Sequence, residues 1–316
     1  MKITVIGAGY VGLVAAVCFA QGGHQVICLE RDEQRCRTLE NGQCPILEEG
    51  LPPKLDSALS KGYLQFTTDS ETAIPWGEFV FITVGTPEGE DGQPDLRALQ
   101  SVISSIGQHG RDGQIVVIKS TVPPGTTQMI GQAICADRFC AGYSGAPQVI
   151  CNPEFLREGT AVSDFLSPDR VVVGAENRAA GEALCALYRP LLQTSAPIVL
   201  TSSLNAELVK YASNSYLAVR LSYINELAAL CEKLGADINE VAQAMGLDHR
   251  IGHSYLSAGL GYGGSCLPKD TQALAHMARK AGAPLTVLEH AMTANQNIAN
   301  RLAERVTSAV QPGGII

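Results

Sequence analysis

Nowhere in these 316 residues does an apolar run reach the ~18 uninterrupted positions that a membrane-spanning helix needs, although 46% of the chain is hydrophobic. Basic clusters are missing as well. With 23 Lys and Arg against 31 Asp and Glu, the net charge of −8 argues against a nucleic-acid partner, and any anionic ligand has to be held by a local site. The ten cysteines include no CxxC pair, the nearest two being Cys135 and Cys140, so neither a disulfide framework nor a zinc site is indicated. His249 and His253 have a metal-like spacing, but Gly252 interrupts the helix that would align them, and no metal is expected. The first residues read as a strand and not as the charged-then-apolar pattern of a signal peptide, so the expected location is the cytoplasm. No internal repeat and no disordered composition stands out, and the length suffices for two domains with their own cores.

Glycine and proline are absent from Ile198 to Leu234, and nothing there stops a helix. The spacing predicts one long helix from about Leu204, capped by Ser202 or Ser203. Its apolar residues, among them Leu204, Leu208, Tyr216, Leu221 and Leu230, spread around most of the circumference. Such a helix should be buried, with a second subunit as one wall, which predicts a homodimer. Lys210 and Asn214 lie one turn apart on it and are candidate site residues. Further helices are expected over 239–245 and from Thr271 to the end of the chain.

What is present begins with a cofactor signature. Lys2–Ile6 is a short apolar strand opening into Gly7-Ala-Gly9-Tyr10-Val11-Gly12, followed by an apolar helix to about Gln21, a Gly22-Gly23 stop and a strand that ends at Glu30. The first glycine allows the tight turn, the second lets a pyrophosphate approach the backbone, and the third permits close helix–strand packing. Glu30 is placed for the adenosine ribose hydroxyls, which favours NAD over NADP, while Arg31 and Arg35 stand where a 2′-phosphate could be met. Apolar strands recur at 79–83, 115–118, 148–151 and 171–173, all with the look of buried parallel strands. They predict a doubly wound α/β domain over 1–200, a helical domain over 201–300 and a connecting segment over 301–316. The turns after the strands carry Gly85-Thr86-Pro87, Ser120-Thr121 through Thr126, and Asn152 through Gly159 with Glu154 and Glu158, the rim of a pocket.

The most informative stretch is Gly259-Leu-Gly-Tyr-Gly-Gly-Ser-Cys266-Leu-Pro-Lys-Asp270. Four glycines in six positions leave a loop without side-chain bulk, and Pro268 suits the first turn of a helix. Cys266 then sits before the positive end of a helix dipole with Lys269 nearby, and both favour a thiolate nucleophile. A thiolate and a hydride acceptor together suit aldehyde oxidation through a covalent thiohemiacetal and thioester.

Taken together, Gly7 to Gly12, Val84-Gly-Thr-Pro87, Lys119-Ser-Thr-Val-Pro-Pro-Gly125, Asn152-Pro-Glu-Phe-Leu-Arg-Glu158, Lys210 with Asn214, and Gly263 to Asp270 resemble the UDP-glucose/GDP-mannose dehydrogenase family over essentially the whole chain. The resemblance implies that NAD oxidises the C6 alcohol of a nucleotide sugar twice, to the uronic acid. It implies Cys266 as nucleophile, Glu154 as the base for hydrolysis, Lys210 as oxyanion stabiliser, Asn214 as hydrogen-bond donor to sugar or water, and Asp270 and Thr121 around the catalytic water. It further places Phe155, Leu156, Tyr255 and Gly263 on the sugar nucleotide, Glu158 and Lys269 on the nicotinamide side, and Arg250 in the neighbouring subunit's site. Asp270-Thr271 and 248–252 lean toward the UDP-glucose branch, whereas Leu267 is more frequent in the GDP-mannose branch. Family members continue into a second Rossmann-like domain, whose start would fall near the last residue here. A two-electron hydroxyacid dehydrogenase, a cysteine hydrolase and a non-catalytic NAD-binding scaffold stay open as alternatives.

Overall fold

The computed structural model describes residues 1–89 and 94–309. In chain order the elements are β1 (Lys2–Ile6), α1 (Tyr10–Gln21), β2 (Gln25–Leu29), α2 (Glu33–Glu40), α3 (Leu51–Ser60), β3 (Leu64–Thr67), α4 (Ser70–Trp76), β4 (Phe79–Ile82), α5 (Arg97–His109), β5 (Ile115–Ile118), α6 (Thr126–Cys140), β6 (Gln148–Cys151), α7 (Ala161–Leu166), β7 (Val171–Gly174), α8 (Arg178–Tyr188), β8 (Ile198–Thr201), α9 (Ser203–Leu234), α10 (Ile238–Gly246), α11 (Leu267–Lys280) and α12 (Thr286–Ala309). Two compact units result, Met1–Pro87 with Asp95–Lys210, and Glu88–Pro94 with Tyr211–Ile316, the division falling inside α9.

The first unit is built on one sheet of order β3-β2-β1-β4-β5-β6-β7-β8. Strands β3 to β6 run parallel, as their uninterrupted apolar sequences predict, since both sheet faces are covered by helices. Phe79–Ile82 and Val171–Gly174 are buried at every position. The strand β7 corrects one expectation, because it meets β6 antiparallel at Cys151 and Gly174 and is parallel only to β8. The helix α1 is apolar and buried from Gly12 to Ala20 because the sheet, α3 and α7 all pack on it. Phe19 anchors that core against Phe81 at 4.8 Å, Phe165 at 5.3 Å and Tyr188 at 5.8 Å between ring centroids. The strand order reverses at β1, which has β2 on one side and β4 on the other, and ligands of open α/β sheets bind beyond the carboxyl ends of the strands at such a reversal.

The second unit is helical. Its apolar core joins Tyr211 of α9 to Ala273, Leu274 and Ala275 of α11 and Leu288 of α12. The single helix expected after Thr271 is two, α11 and α12, because Gly282 takes φ +73 and Pro284 cannot continue the turn. The long helix has the expected extent. Within this chain Tyr211, Ala218, Ile224 and Cys231 are buried while Leu204, Leu208, Tyr216, Tyr223, Leu230 and Leu234 stand exposed, Tyr216 by 62%. Among the described residues no helix is long and apolar enough to cross a membrane.

Candidate active site

The dinucleotide turn has the local geometry its sequence predicts. Gly7 takes φ +101, a backbone conformation a side chain would strain, and a Cβ added at Gly12 would run into Gly7 O and Thr83 Oγ1. The Thr83 hydroxyl tightens the turn by donating to the carbonyls of Ile6 and Gly7 at 2.8 and 2.9 Å. Around Gly9, by contrast, an added Cβ would meet nothing within 4 Å, and Gly9 caps α1 without a side-chain bond. The open space beside Gly9 lets a pyrophosphate approach the backbone at the start of α1, where first-turn N–H groups lack helical partners. Glu30 lies 8% exposed at the end of β2, where its carboxylate accepts the Ala8 N–H at 2.8 Å and the Asp32 N–H at 3.0 Å. Those two bonds fix a carboxylate beside the turn, where a ribose diol would be met, so the residues present fit NAD. Arg31 and Arg35 are both exposed, and the Arg35 N–H caps α2 through Asp32.

Two further turns of this unit carry polar groups. Thr86 donates its hydroxyl to the Thr121 carbonyl at 2.8 Å and so ties the turn after β4 to the turn after β5. Glu154 follows β6 and is 8% exposed, and its Oε1 takes the Lys210 ammonium at 2.6 Å while its Oε2 accepts the Leu156 N–H at 2.7 Å. Lys210 itself is 4% exposed. Burial works against ionising Glu154, but Lys210, the Leu156 amide and the more distant charge of Lys119 outweigh it and hold the carboxyl below its ordinary range. Phe155 is packed under the Arg170 guanidinium at 3.8 Å and lies 5.5 Å from Lys210 Nζ. Glu158 is exposed. Burial, and next the bond to Glu48, raise the pKa of Tyr10, a residue of the fingerprint.

In the second unit, Cys266 is the N-cap of α11, with Pro268 in the first turn, as the sequence predicts. Its thiol is exposed, and no side chain caps the helix in its place. Asp270, one turn on and 1% exposed, accepts from Asn214 Nδ2 at 2.6 Å and from Lys269 Nζ at 2.5 Å. Lys269 is thus engaged by its chain neighbour. Asn214 lies on α9 one turn beyond Lys210, and both are buried. The loop before Cys266 is clamped by its own backbone: Asn225 accepts the Gly259 N–H at 2.8 Å, and Asn295 accepts the Tyr262 N–H at 2.8 Å and donates to the Tyr262 carbonyl at 3.0 Å. Gly263 is exposed, with nothing within 4 Å of an added Cβ. Tyr255, at φ 61, is the one residue other than glycine with positive φ among those described, a strained conformation of the kind that collects at functional sites. Arg250 is exposed and paired with Asp248 at 2.6 Å.

Several residues that hold these groups were not singled out from sequence. Glu48 is 5% exposed and binds the Gly159 and Ala161 N–H groups as well as Tyr10. Glu207, 2% exposed, accepts from the Gly125 and Thr127 N–H groups at 2.6 and 2.7 Å, fastening the start of α6 to α9. A glutamate one turn before Lys210 in so apolar a helix was a usable signal. Asn295 carried none, because only the folded chain brings it to Tyr262.

Comparison with known proteins identifies the family of both parts of the chain. Residues 1–192 match the UDP-glucose/GDP-mannose dehydrogenase family, NAD binding domain, and residues 204–297 match the central domain of the same family. A UDP-glucose 6-dehydrogenase of Rhizobium meliloti is 44% identical over 312 residues, 98% of this chain and 70% of that protein. The UDP-glucose 6-dehydrogenase TuaD of Bacillus subtilis is 41% identical over 295 residues, which cover 93% of this chain and 63% of that protein. The solved structure of a UDP-glucose dehydrogenase from the archaeon Pyrobaculum islandicum has a TM-score of 0.91 at 38% identity, over 98% of this chain and 72% of that one. The chain thus spans about two thirds of the length of these relatives, and over that span it belongs to the UDP-glucose/GDP-mannose dehydrogenase family, with NAD as its cofactor.

Proposed function

We propose that this chain carries the NAD-dependent oxidation of a nucleotide sugar at C6, from alcohol through aldehyde to uronic acid, with UDP-glucose as substrate. The two relatives described above are UDP-glucose 6-dehydrogenases, which favours that sugar over GDP-mannose. The observation that carries the reading is the exposed Cys266 thiol at the uncapped start of α11, since a two-electron alcohol dehydrogenase gives a nucleophile no task.

Gly7, Gly9, Tyr10, Val11, Gly12, Glu30 and Thr86 would hold NAD, which would supply the hydride acceptor for each of the two oxidations. In the first, the alcohol gives up its proton to water organised by Asp270, and Lys210 stabilises the alkoxide. The Cys266 thiolate then adds to the aldehyde carbon. The resulting thiohemiacetal oxygen carries negative charge that the Lys210 ammonium stabilises, and loss of the second hydride leaves a thioester on Cys266. Glu154 takes a proton from water as the water adds to the thioester carbon, and the C–S bond breaks to release the carboxylate and restore the thiolate. Its buried, ionised state suits a base. Thr121 and Asn214 orient that water and the sugar, and Phe155, Leu156, Tyr255 and Gly263 bind the nucleotide sugar. Glu158, Lys269 and Arg35 border the cofactor. The assay is the count of NADH formed per sugar by the full-length protein with UDP-glucose, GDP-mannose and UDP-N-acetylmannosamine. Two per UDP-glucose, with NADP at least tenfold poorer, is the expected result. One per sugar would leave a simple alcohol dehydrogenase.

The exposed residues of α9 support a homodimer, with Arg250 contributing to the neighbouring subunit's site. Leu204, Leu208, Tyr216, Tyr223 and Leu230 form an apolar surface that water would otherwise cover. Sedimentation at micromolar concentration is expected to give a dimer, and Tyr216→Glu is expected to shift it toward monomer. A monomeric parent protein would remove this assignment. The ten unpaired cysteines support a cytoplasmic location.

A further inference from the structure

One buried cation has no task in the chemistry above. Lys119 follows β5 and is 4% exposed. Its Nζ donates to Asn152 Oδ1 at 3.1 Å and to the Tyr188 hydroxyl at 3.4 Å, and it lies 5.8 Å from the ring centroids of both Phe165 and Tyr188. None of these partners is an anion. Aromatic faces and an amide oxygen recover only part of what an ammonium loses on leaving water, so a lysine here opposes folding unless something charged responds to it.

The amide it touches does not need it. Asn152 Oδ1 already accepts the Tyr188 hydroxyl at 2.6 Å, and Asn152 Nδ2 donates to the Val172 carbonyl at 2.8 Å, so the side chain is tied to β7 and α8 without the lysine. Asn152 lies two residues before Glu154, on the same turn after β6. We infer that Lys119 is a positioning residue for the reaction, a fixed positive charge beneath the Asn152–Glu154 turn that keeps the Glu154 carboxylate ionised within its buried setting.

The electrostatic surroundings agree. Glu154 is faced by Lys210 from α9, by Lys119 from the end of β5 and by the Leu156 amide of its own turn, with Arg170 stacked on the adjoining Phe155. Lys119 is faced by Glu154, Lys210, Cys151 and Tyr188. Burial depresses its pKa to about 8, Glu154 working against that depression and Lys210 with it, so it remains largely protonated near neutral pH. Two cations serve one carboxylate because their duties differ. Lys210 is shared with the substrate oxygen in the proposed mechanism, whereas Lys119, sealed among aromatic rings, stays beside the turn throughout.

This inference rests on Glu154 acting as the base, and two measurements separate the two ideas. In the full-length protein, Lys119→Met and Lys119→Gln are expected to move the acid limb of kcat/KM upward by about one pH unit, and by the same amount in both, because each removes only the charge. Thermal stability against pH supplies a readout independent of substrate. Between about pH 3 and 6 a lysine is protonated folded and unfolded alike, so the difference between parent and variant over that range reports on Glu154. A carboxyl held low contributes stability above its unfolded pKa and loses it as pH falls through its folded value. Without Lys119 that loss is expected to begin at higher pH. Unshifted limbs with unshifted stability curves overturn the inference, as does a different pH shift for Met and Gln. Failure of both variants to fold also overturns it, assigning Lys119 to the fold alone. A parent protein that does not oxidise the sugar removes the base assignment, while the stability curves still decide whether Lys119 and Glu154 are coupled.

Discussion

Replacing Cys266 by serine in the full-length protein is expected to abolish uronic acid formation by several orders of magnitude while leaving the fold and NAD binding intact. The thiolate forms near neutral pH and leaves readily from a tetrahedral carbon, whereas a serine alkoxide does neither. Any residual turnover should stall at the aldehyde or at a slow ester. The fold gives this variant an unusual control. Cys266 is an exposed N-cap that makes no capping bond, and serine is among the preferred residues there, so stability should hold or rise by up to about 1 kcal/mol. A purely structural thiol would show the same stability with an unchanged rate. Thermal unfolding and a product assay on one preparation decide it, and near-parental uronic acid formation by Cys266→Ser would return the two-electron dehydrogenase to first place.

The second large effect is expected at Lys210, whose removal strands a buried anion. Lys210 and Glu154 are both less than a tenth exposed and bonded at 2.6 Å, so Lys210→Met leaves the carboxylate with the Leu156 amide and the unbonded charge of Lys119. Breaking a buried pair from one side costs about 3 to 5 kcal/mol, and uptake of a proton by Glu154 relieves part of it. The parent's Glu154 is held below its ordinary value, so its stabilising contribution is complete above about pH 4.3 and disappears as pH falls through the folded pKa. In Lys210→Met the folded pKa rises, and the pair's contribution should be missing already at neutral pH. Adding Glu154→Gln should recover much of the stability without restoring activity, because the stranded charge is gone while both groups of the mechanism are lost. Denaturant unfolding at neutral pH tests this, and a Lys210→Met variant within about 1 kcal/mol of the parent would mean that the pair contributes little.

Residues 7–12 and 259–270 were legible in the sequence because their geometry is local. Glycines at fixed offsets, an apolar run of helical length, and a proline one position inside a helix start act within a few residues of themselves, and α1 and the N-cap at Cys266 lie where those signals put them. The long helix α9 was equally plain from its lack of any breaker. The division after α11 is equally local, set by Gly282 and Pro284.

What the sequence alone determined is the cofactor turn, the long helix, the family and the place of Cys266 at a helix start, all properties carried by short stretches of chain. Tertiary structure decided the rest. Glu154 meets Lys210, and Asn214 meets Asp270, each across 56 residues. The reversal of β7, the exposure of one side of α9 and the sealing of Lys119 among Phe165, Tyr188 and Asn152 depend in the same way on what packs against what. The physical reason is that a charged side chain takes its chemistry from its surroundings: burial removes water, a distant residue supplies the counter-charge, and neither is written in the neighbouring letters of the chain.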